Sequence, residues 1–382
     1  MMGSCPLLVS APTNWDDQLL YRYTEITDRR ECRNRIQEVY GAACETPTGG
    51  GRPTVALPET SPEAMARHIG LAASLGLEFN YLLNAPQLGN KEFAASGYRE
   101  ITDHVHWLAD LGVGKVTVAV PFLLELCKAR GMQVEVSAVA GVHTKNEYSR
   151  WLELGADAIN LSPERNRDFV FLEGLDSARG KILVNEICLL ECPVRGYHYN
   201  CVANASRTGA RKEYVDYCIL YCASRKLRHP VELVRSPFVL PADVAFYKGI
   251  VGSIKLSDRR LPTDKLVRIA TAYATEEYDG NFFEIASMPI PEKQLLAKIA
   301  AAAGDVGIAW DAVATPELTL ESGRFNGRFL QYFLQGKCSR DCAKCDYCLS
   351  WSEHVSVSQH HELISALDEL RQRLVRGQLQ AD

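Results

Sequence analysis

From its first residues to about position 275, the chain alternates short β-branched or apolar runs with amphipathic stretches, the pattern of repeated β-α units around a parallel sheet. Eight runs are candidate strands: Leu7 to Ser10, Gln37 to Tyr40, Glu78 to Leu83, Lys115 to Val120, Gln133 to Ala138, Ala158 to Leu161, Ile182 to Glu186 and Ser253 to Leu256. Eight parallel strands can close on themselves, so the pattern predicts an α/β fold, a TIM-like (β/α)8 barrel. Helix punctuation fits: Thr60-Ser61-Pro62-Glu63 supplies a hydroxyl cap, a proline and an acid for a helix running to Gly76, and Gly155 ends the helix before Ala158. The segment Cys188 to Ser236 is too long for an ordinary βα connection, and after a seventh strand it would lie over the barrel mouth. The expected organisation is a barrel with this insertion over residues 1–290, then a C-terminal extension over 291–382. Ile364, Leu367, Leu370 and Leu374 at helical spacing give the extension a terminal helix with a packing face.

A chain of 382 residues builds a core that needs no disulfides, yet it carries 13 cysteines. The amino-terminal MMGSCPLLVSAPTNWDD lacks the basic start and sustained apolar run of a signal peptide, and no apolar run approaches the roughly 18 residues of a membrane span. A reducing cytoplasm is the expected compartment, with no membrane partner, and there clustered thiols mean metal or redox chemistry. The net charge of -5 argues against an overall basic surface, although nucleic acid stays open as a partner. Arg225, Lys226, Arg228 and His229, and separately Lys255, Arg259 and Arg260, read either as contacts for an anionic substrate or as solvated helix ends.

Cys188-x3-Cys192 begins where the seventh strand ends, with Pro193 breaking regular structure after it. Cys218-x3-Cys222 lies in an expected helix, where positions four apart share a face, so the two pairs can close around one centre. Four thiolates suit a [4Fe–4S] cluster, with zinc competing for the same ligand set and Cys201 able to replace any one of the four. A second knot, Cys338-x3-Cys342-x2-Cys345-x2-Cys348, packs four cysteines into one short run. It reads as a metal site, iron in a second cluster, with zinc as the alternative. Cys5, Cys32, Cys44 and Cys127 are scattered and read as packing residues. The three-then-two spacing of Cys338 to Cys345 matches radical S-adenosylmethionine enzymes, but it follows the barrel instead of an early strand, so that chemistry is a runner-up.

Barrel active sites are assembled at the carboxyl ends of strands, where Asn84, Asn160, Asn185, Glu186, Lys255 and Asp258 fall. Glu186, His198 and Lys255 are the candidate catalytic residues; Asn84, Asn160, Asn185, Arg195, Asp258 and Arg259 are the candidate substrate contacts. Gly49-Gly50-Gly51-Arg52 lacks the spacing and lysine of a P-loop and reads as a flexible turn. No Ser/His/Asp arrangement and no His-Glu-x-x-His element emerges.

The run Ile182-Leu183-Val184-Asn185-Glu186-Ile187-Cys188 with Cys192-Pro193, the earlier Asn166-Arg167-Asp168-Phe169, the phrase Phe79-Asn80-Tyr81-Leu82-Leu83-Asn84 and the final strand Ser253 to Arg259 resemble the collagenase-like peptidase family U-thirty-two over most of residues 5 to 290. The resemblance implies a TIM barrel whose cysteines, matched here to Cys188, Cys192, Cys218 and Cys222, hold a [4Fe–4S] cluster over the cavity, since members include iron–sulfur proteins that hydroxylate rings without molecular oxygen. Where family members commonly read lysine, apolar, glutamate, glycine, arginine, this chain has Ser257 and Asp258 between Lys255 and Arg259. The expected function is therefore an iron–sulfur oxidoreductase or hydroxylase acting on a small or ring-containing molecule, served by an electron-donor protein or a partner subunit. The alternatives are a radical S-adenosylmethionine-type enzyme, a peptidase, or a zinc-stabilised RNA-binding module.

Overall fold

The fold is that of a computed structural model, which describes residues 5–209, 216–287, 290, 291, 296, 297, 308, 313–358 and 361–378. Part of the insertion (210–215) and most of the stretch opening the extension (292–312) thus lie outside the described residues. Eight parallel strands close a barrel in chain order: β1 (Leu8–Pro12), β2 (Arg35–Gly41), β3 (Glu78–Leu83), β4 (Lys115–Val118), β5 (Gln133–Val136), β6 (Ala158–Asn160), β7 (Gly180–Leu183) and β8 (Ser253–Lys255). Closure is made by β8, which pairs with β7 and with β1, setting Leu8 beside Ser253 and Ser10 beside Lys255.

Helices clothe the outside. On α1 (Asp17–Thr27), Leu19, Leu20 and Tyr23 are buried, and Asp16 accepts the first-turn amide of Gln18. On α2 (Pro62–Ser74), Ser61 caps and proline opens the first turn, as expected, and the helix stops two residues before Gly76. Further round lie α3 (Ala95–Asp110), α4 (Pro121–Lys128), α5 (Lys145–Glu153) and the short α6 (Phe169–Leu172). The insertion after β7 folds into α7 (Arg195–Ala205), α8 (Tyr217–Arg228) and α9 (Val231–Arg235), and α10 (Thr263–Thr275) follows β8.

The barrel interior is ionic. Lys181 Nζ lies 2.7 Å from Glu135 Oε1 and 3.0 Å from Glu38 Oε1; Lys115 Nζ lies 2.6 Å from Glu38 Oε2 and 2.9 Å from Glu135 Oε1. Burial alone would raise the Glu38 carboxyl, but Lys181, Lys115 and Lys255 outweigh it and hold Glu38 well below the usual carboxylate range. This network explains why β7 starts at Gly180 and not at the apolar Ile182: Lys181 is an inward residue of the strand.

The C-terminal extension packs into the same core. Phe325, Phe329, Leu330 and Phe333 join the barrel's buried cluster, and Phe329 stacks on Phe238 and Tyr347. The terminal helix His361–Val375 lays Leu363, Ile364, Leu367 and Leu370 against Leu220, Ala223 and Leu227 of α8, and Ser224 Oγ donates to Asp368 at 2.9 Å. Among the described residues no helix is long and apolar enough to cross a membrane.

Removing one member of a buried ion set strands the other's charge. Glu135→Ala should therefore cost about 3–5 kcal/mol in urea unfolding at neutral pH. The Glu135→Leu, Lys181→Leu pair should cost less than the sum of its single changes.

Candidate active site at the barrel mouth

The chain leaving β7 turns across the barrel mouth and brings the first cysteine group with it. Cys188 and Cys192 lie on this turn, and Cys218 and Cys222 lie one helical turn apart on α8, which the terminal helix holds from another face. All four line a cavity of about 130 Å³, together with Glu186, Arg195, His198, Tyr199 and Lys226. All are free thiols. Burial pushes the Cys218 thiol up to about 12 and Cys188 well above its ordinary value, and the negative form of Cys222 adds to both, as it does for Cys192. Arg195 and Lys226 act in the opposite sense on Cys188 and Cys192. As placed, no three His, Cys, Asp or Glu side chains among the described residues surround a single ion position, so the thiols share a cavity without yet meeting at a point.

Below that cavity a second, polar chamber opens between the strand ends, lined by Tyr40, Asn84, Asn160, Lys255, Asp258 and Arg259 among others. Lys255 Nζ stands 4.0 Å above the Tyr40 ring. Burial, then the charge of Lys181 beneath it, lowers the Lys255 ammonium to about 8. Arg259 donates to the Ala42 carbonyl at 3.0 Å, and burial with the neighbouring Arg52 lowers it to about 10. Asp258 is held by Arg260, whose Nε lies 2.8 Å away, and its carboxyl stays below the usual range because this pairing outweighs burial.

The two cavities share a wall. Gly51, Arg52, Glu186 and Tyr199 line both. Glu186 Oε1 accepts from the Cys188 thiol at 3.3 Å, so it faces the sulfur group on one side and the polar chamber on the other.

The predicted residues therefore divide. Asn84, Asn160, Glu186, Lys255, Asp258 and Arg259 meet in the chamber, while Arg195 and His198 belong to the thiol cavity. Arg195 pairs with Glu164 at 2.7 Å, and His198 Nε2 lies 3.0 Å from Asp216, the carboxylate that caps α8. Asn185 lines neither cavity: fully buried, it donates to the carbonyls of Ser257 and Ile285 and accepts the Ser257 amide at 2.8 Å, tying the end of β7 to the segment after β8. Cys201 faces a different recess with Tyr197 and Cys218.

Sequence reasoning missed Arg52 and Tyr199. The Gly49-to-Arg52 turn is clamped, not loose: the Gly50 amide donates to Ser206 Oγ at 2.8 Å and the Gly51 amide to Asn84 Oδ1 at 3.0 Å. A Cβ at Gly49 would lie 2.3 Å from the Ala203 carbonyl oxygen, and one at Gly51 2.9 Å from the Asn84 amide nitrogen. Three successive glycines before an arginine were the available signal, since such a run lets backbone approach backbone and delivers the next side chain inward.

No family model matches the chain. A curated relative described as an uncharacterized protease of Methanocaldococcus jannaschii is 31% identical over 272 residues, spanning 69% of this chain and 81% of that protein. A solved structure of the U32 peptidase Mk0906 aligns over 68% of this chain and 95% of its own, at 17% identity and a TM-score of 0.46. The chain belongs to the collagenase-like peptidase family, U32. This U32 member also aligns with a chitinase of Rhizomucor miehei over 69% of this chain and 98% of that one, at 11% identity and a TM-score of 0.35.

If Asn185 organises the U32 chamber from behind, Asn185→Ala should cost about 2–3 kcal/mol by thermal unfolding, because buried partners lose their hydrogen bonds. A loss below about 0.5 kcal/mol, the scale of an ordinary surface change, would contradict that role.

Proposed function

We propose that this U32 member is an iron–sulfur enzyme that takes a small anionic, ring-bearing substrate into the polar chamber and performs redox chemistry on it, either electron transfer or hydroxylation in which water supplies the oxygen atom and an external acceptor takes the two electrons released. The observation that carries the reading is the shared wall: a substrate in the chamber would lie against Glu186, Arg52 and Tyr199, which also bound the four-thiol cavity.

The chemistry of the donor set supports a [4Fe–4S] cluster, with the sulfurs as placed sharing a cavity and not a single ion position. Cys188, Cys192, Cys218 and Cys222 are unpaired soft ligands whose negative forms repel one another, and bound iron removes that repulsion. When bound, the cluster would supply one-electron or Lewis-acid chemistry at the edge of the chamber.

The chain's own groups account for the substrate class. With Asp258 committed to Arg260, the cations Arg52, Lys255 and Arg259 face Glu186 as the remaining carboxylate of the lining. Buried cations in such excess favour an anion, most simply a carboxylate or phosphate held by two guanidiniums. Tyr40 and Tyr199 offer ring faces beside it. Glu186 is the group placed to hold or move a proton between chamber and thiol cavity, and Asn160, whose Nδ2 is held by Glu135 and the Val136 carbonyl, offers its Oδ1 to the bound molecule.

Peptide hydrolysis is the second reading, supported by the relative from Methanocaldococcus jannaschii, which is described as a protease. One local feature favours it too: Lys255, lowered to about 8, is a buried amine whose neutral, proton-accepting form becomes available just above neutral pH.

Two tests follow. Protein purified without oxygen should carry about four irons and as many sulfides at this site, lost together in Cys188→Ala or Cys222→Ala. A colourless, iron-free protein that cleaves a peptide library would replace the redox reading by the hydrolytic one. For the chamber, a dicarboxylate probe followed by calorimetry should bind at least about tenfold more weakly to Arg52→Ala. Its affinity for the unaltered protein should fall as pH rises through about 8, because the Lys255 cation is present below that value and lost above it. A flat profile would remove Lys255 from anion binding.

A further inference from the structure

Cys338, Cys342 and Cys345 precede the short helix Tyr347–Ser352 and Cys348 lies on it, and as placed no three His, Cys, Asp or Glu side chains among the described residues there surround one ion position. The polar chamber is built more closely around one group, the amine of Lys255. Lys255 ends β8, and its neighbours Ile254 and Leu256 are fully buried on the opposite face, so strand alternation turns Lys255 to the barrel interior. Its backbone is pinned on both sides: its carbonyl accepts the Val184 amide at 3.1 Å, and the next amide, of Leu256, donates to the Ser10 carbonyl at 2.9 Å. The Tyr40 hydroxyl donates to the Leu256 carbonyl at 2.6 Å, which fixes the ring face that Nζ meets 4.0 Å from the centroid.

Lys115 and Lys181 are each paired with Glu38 and Glu135, whereas Lys255 Nζ has, among the described residues, neither a carboxylate within ion-pair distance nor a hydrogen-bond acceptor. Two guanidiniums share its chamber of about 80 Å³. Arg52 donates to the Gly51 carbonyl at 2.9 Å and Arg259 to the Ala42 carbonyl at 3.0 Å, and each keeps further N–H groups for a ligand. Asn160 Oδ1, on a residue 2% exposed, has no donor among the described residues. At the amine, burial and the charges of Lys181 and Lys115 outweigh Glu135 and Glu38 and lower it to about 8, so its neutral, nucleophilic form becomes available just above neutral pH. An unpaired amine beside two guanidiniums fits a molecule that offers an electrophilic carbon next to a carboxylate.

We propose that Lys255 is a nucleophile that forms an imine with a 2-oxo carboxylate, the carbonyl carbon meeting Nζ and the carboxylate taking Arg52 and Arg259. Nζ adds to the carbonyl carbon, and the resulting hydroxyl finds an acceptor in Asn160 Oδ1. Loss of water then carries off the carbonyl oxygen and the two amine protons, leaving a C=N bond with no net transfer of electrons. Hydrolysis reverses the step and returns the free lysine. Once protonated, the imine withdraws electrons from the adjoining carbon more strongly than the ketone does, which activates the bound molecule there. The inference names the substrate class of the chamber and rests on the anion-binding reading above, not on iron.

The test is to incubate the full chain with pyruvate and sodium borohydride, which reduces an imine to a stable secondary amine, and to map the adduct by peptide mass spectrometry. The expected result is a reduced pyruvate adduct on Lys255, formed at least about tenfold faster than on the exposed Lys344. Lactate, which lacks the carbonyl, should give none, and acetone, which lacks the carboxylate, should react at least about tenfold more slowly than pyruvate. Lys255→Arg, which keeps a positive charge, should abolish the adduct and still bind the dicarboxylate probe; the mapping of the unaltered protein stands whether or not this variant folds. No adduct at Lys255, or one formed no faster than at Lys344, overturns the proposal, and an acetone adduct as fast as the pyruvate one overturns the 2-oxo acid class. If the adduct is missing while the dicarboxylate still binds, the imine alone falls; if both are missing, the anion-binding reading of the chamber falls with it.

Discussion

The pairing of β8 with both β7 and β1 is the constraint on which the rest of the molecule depends. Closure brings residues distant in sequence to one rim, so that Tyr40, Asn84, Asn160 and Lys255, each at the end of a different strand, bound a single chamber. It also encloses an interior that this chain fills with ions. Lys115 and Lys181 satisfy Glu38 and Glu135, and Lys255, at the rim above them, has burial and a like charge beneath it and, among the described residues, no carboxylate within ion-pair distance. The positive character of the chamber thus follows from how the barrel is packed as well as from the arginines added by its loops.

The insertion after β7 adds the four thiols of the neighbouring cavity. One end is anchored where Asn185 ties the strand end to the segment after β8, and the other where the terminal helix clasps α8. Cys188 and Cys192 come from the first anchor and Cys218 and Cys222 from the second, so four sulfurs reach one cavity without any disulfide. The C-terminal extension therefore has two structural tasks: its helix positions α8, and its aromatic cluster lays Phe329 and Phe333 over Arg167.

Much of this was legible in the residues. Apolar runs and their caps located all eight strands, and the over-long connection after the seventh marked the helical insertion that follows β7. What escaped was set by tertiary context. Lys181 lies in β7 inside the barrel because distant carboxylates neutralise it, which no local pattern announces. Arg52 reads as part of a loose turn until Asn84 and Ser206 are seen gripping the glycines before it. Asn185 sits at a strand end where a substrate contact is expected, yet its amide is consumed by backbone groups, because burial at a strand junction must satisfy polar groups first.

The central claim is that four thiolates from two parts of the insertion bind iron and sulfide beside an anion-binding chamber. X-ray absorption at the iron edge, on full-length protein isolated without oxygen, tests it most directly. The account predicts iron coordinated by sulfur, with short-range iron–iron scattering at this site that is lost when Cys218 and Cys222 are replaced together. Iron bound only through oxygen or nitrogen, or an absent iron edge in folded protein, would contradict it.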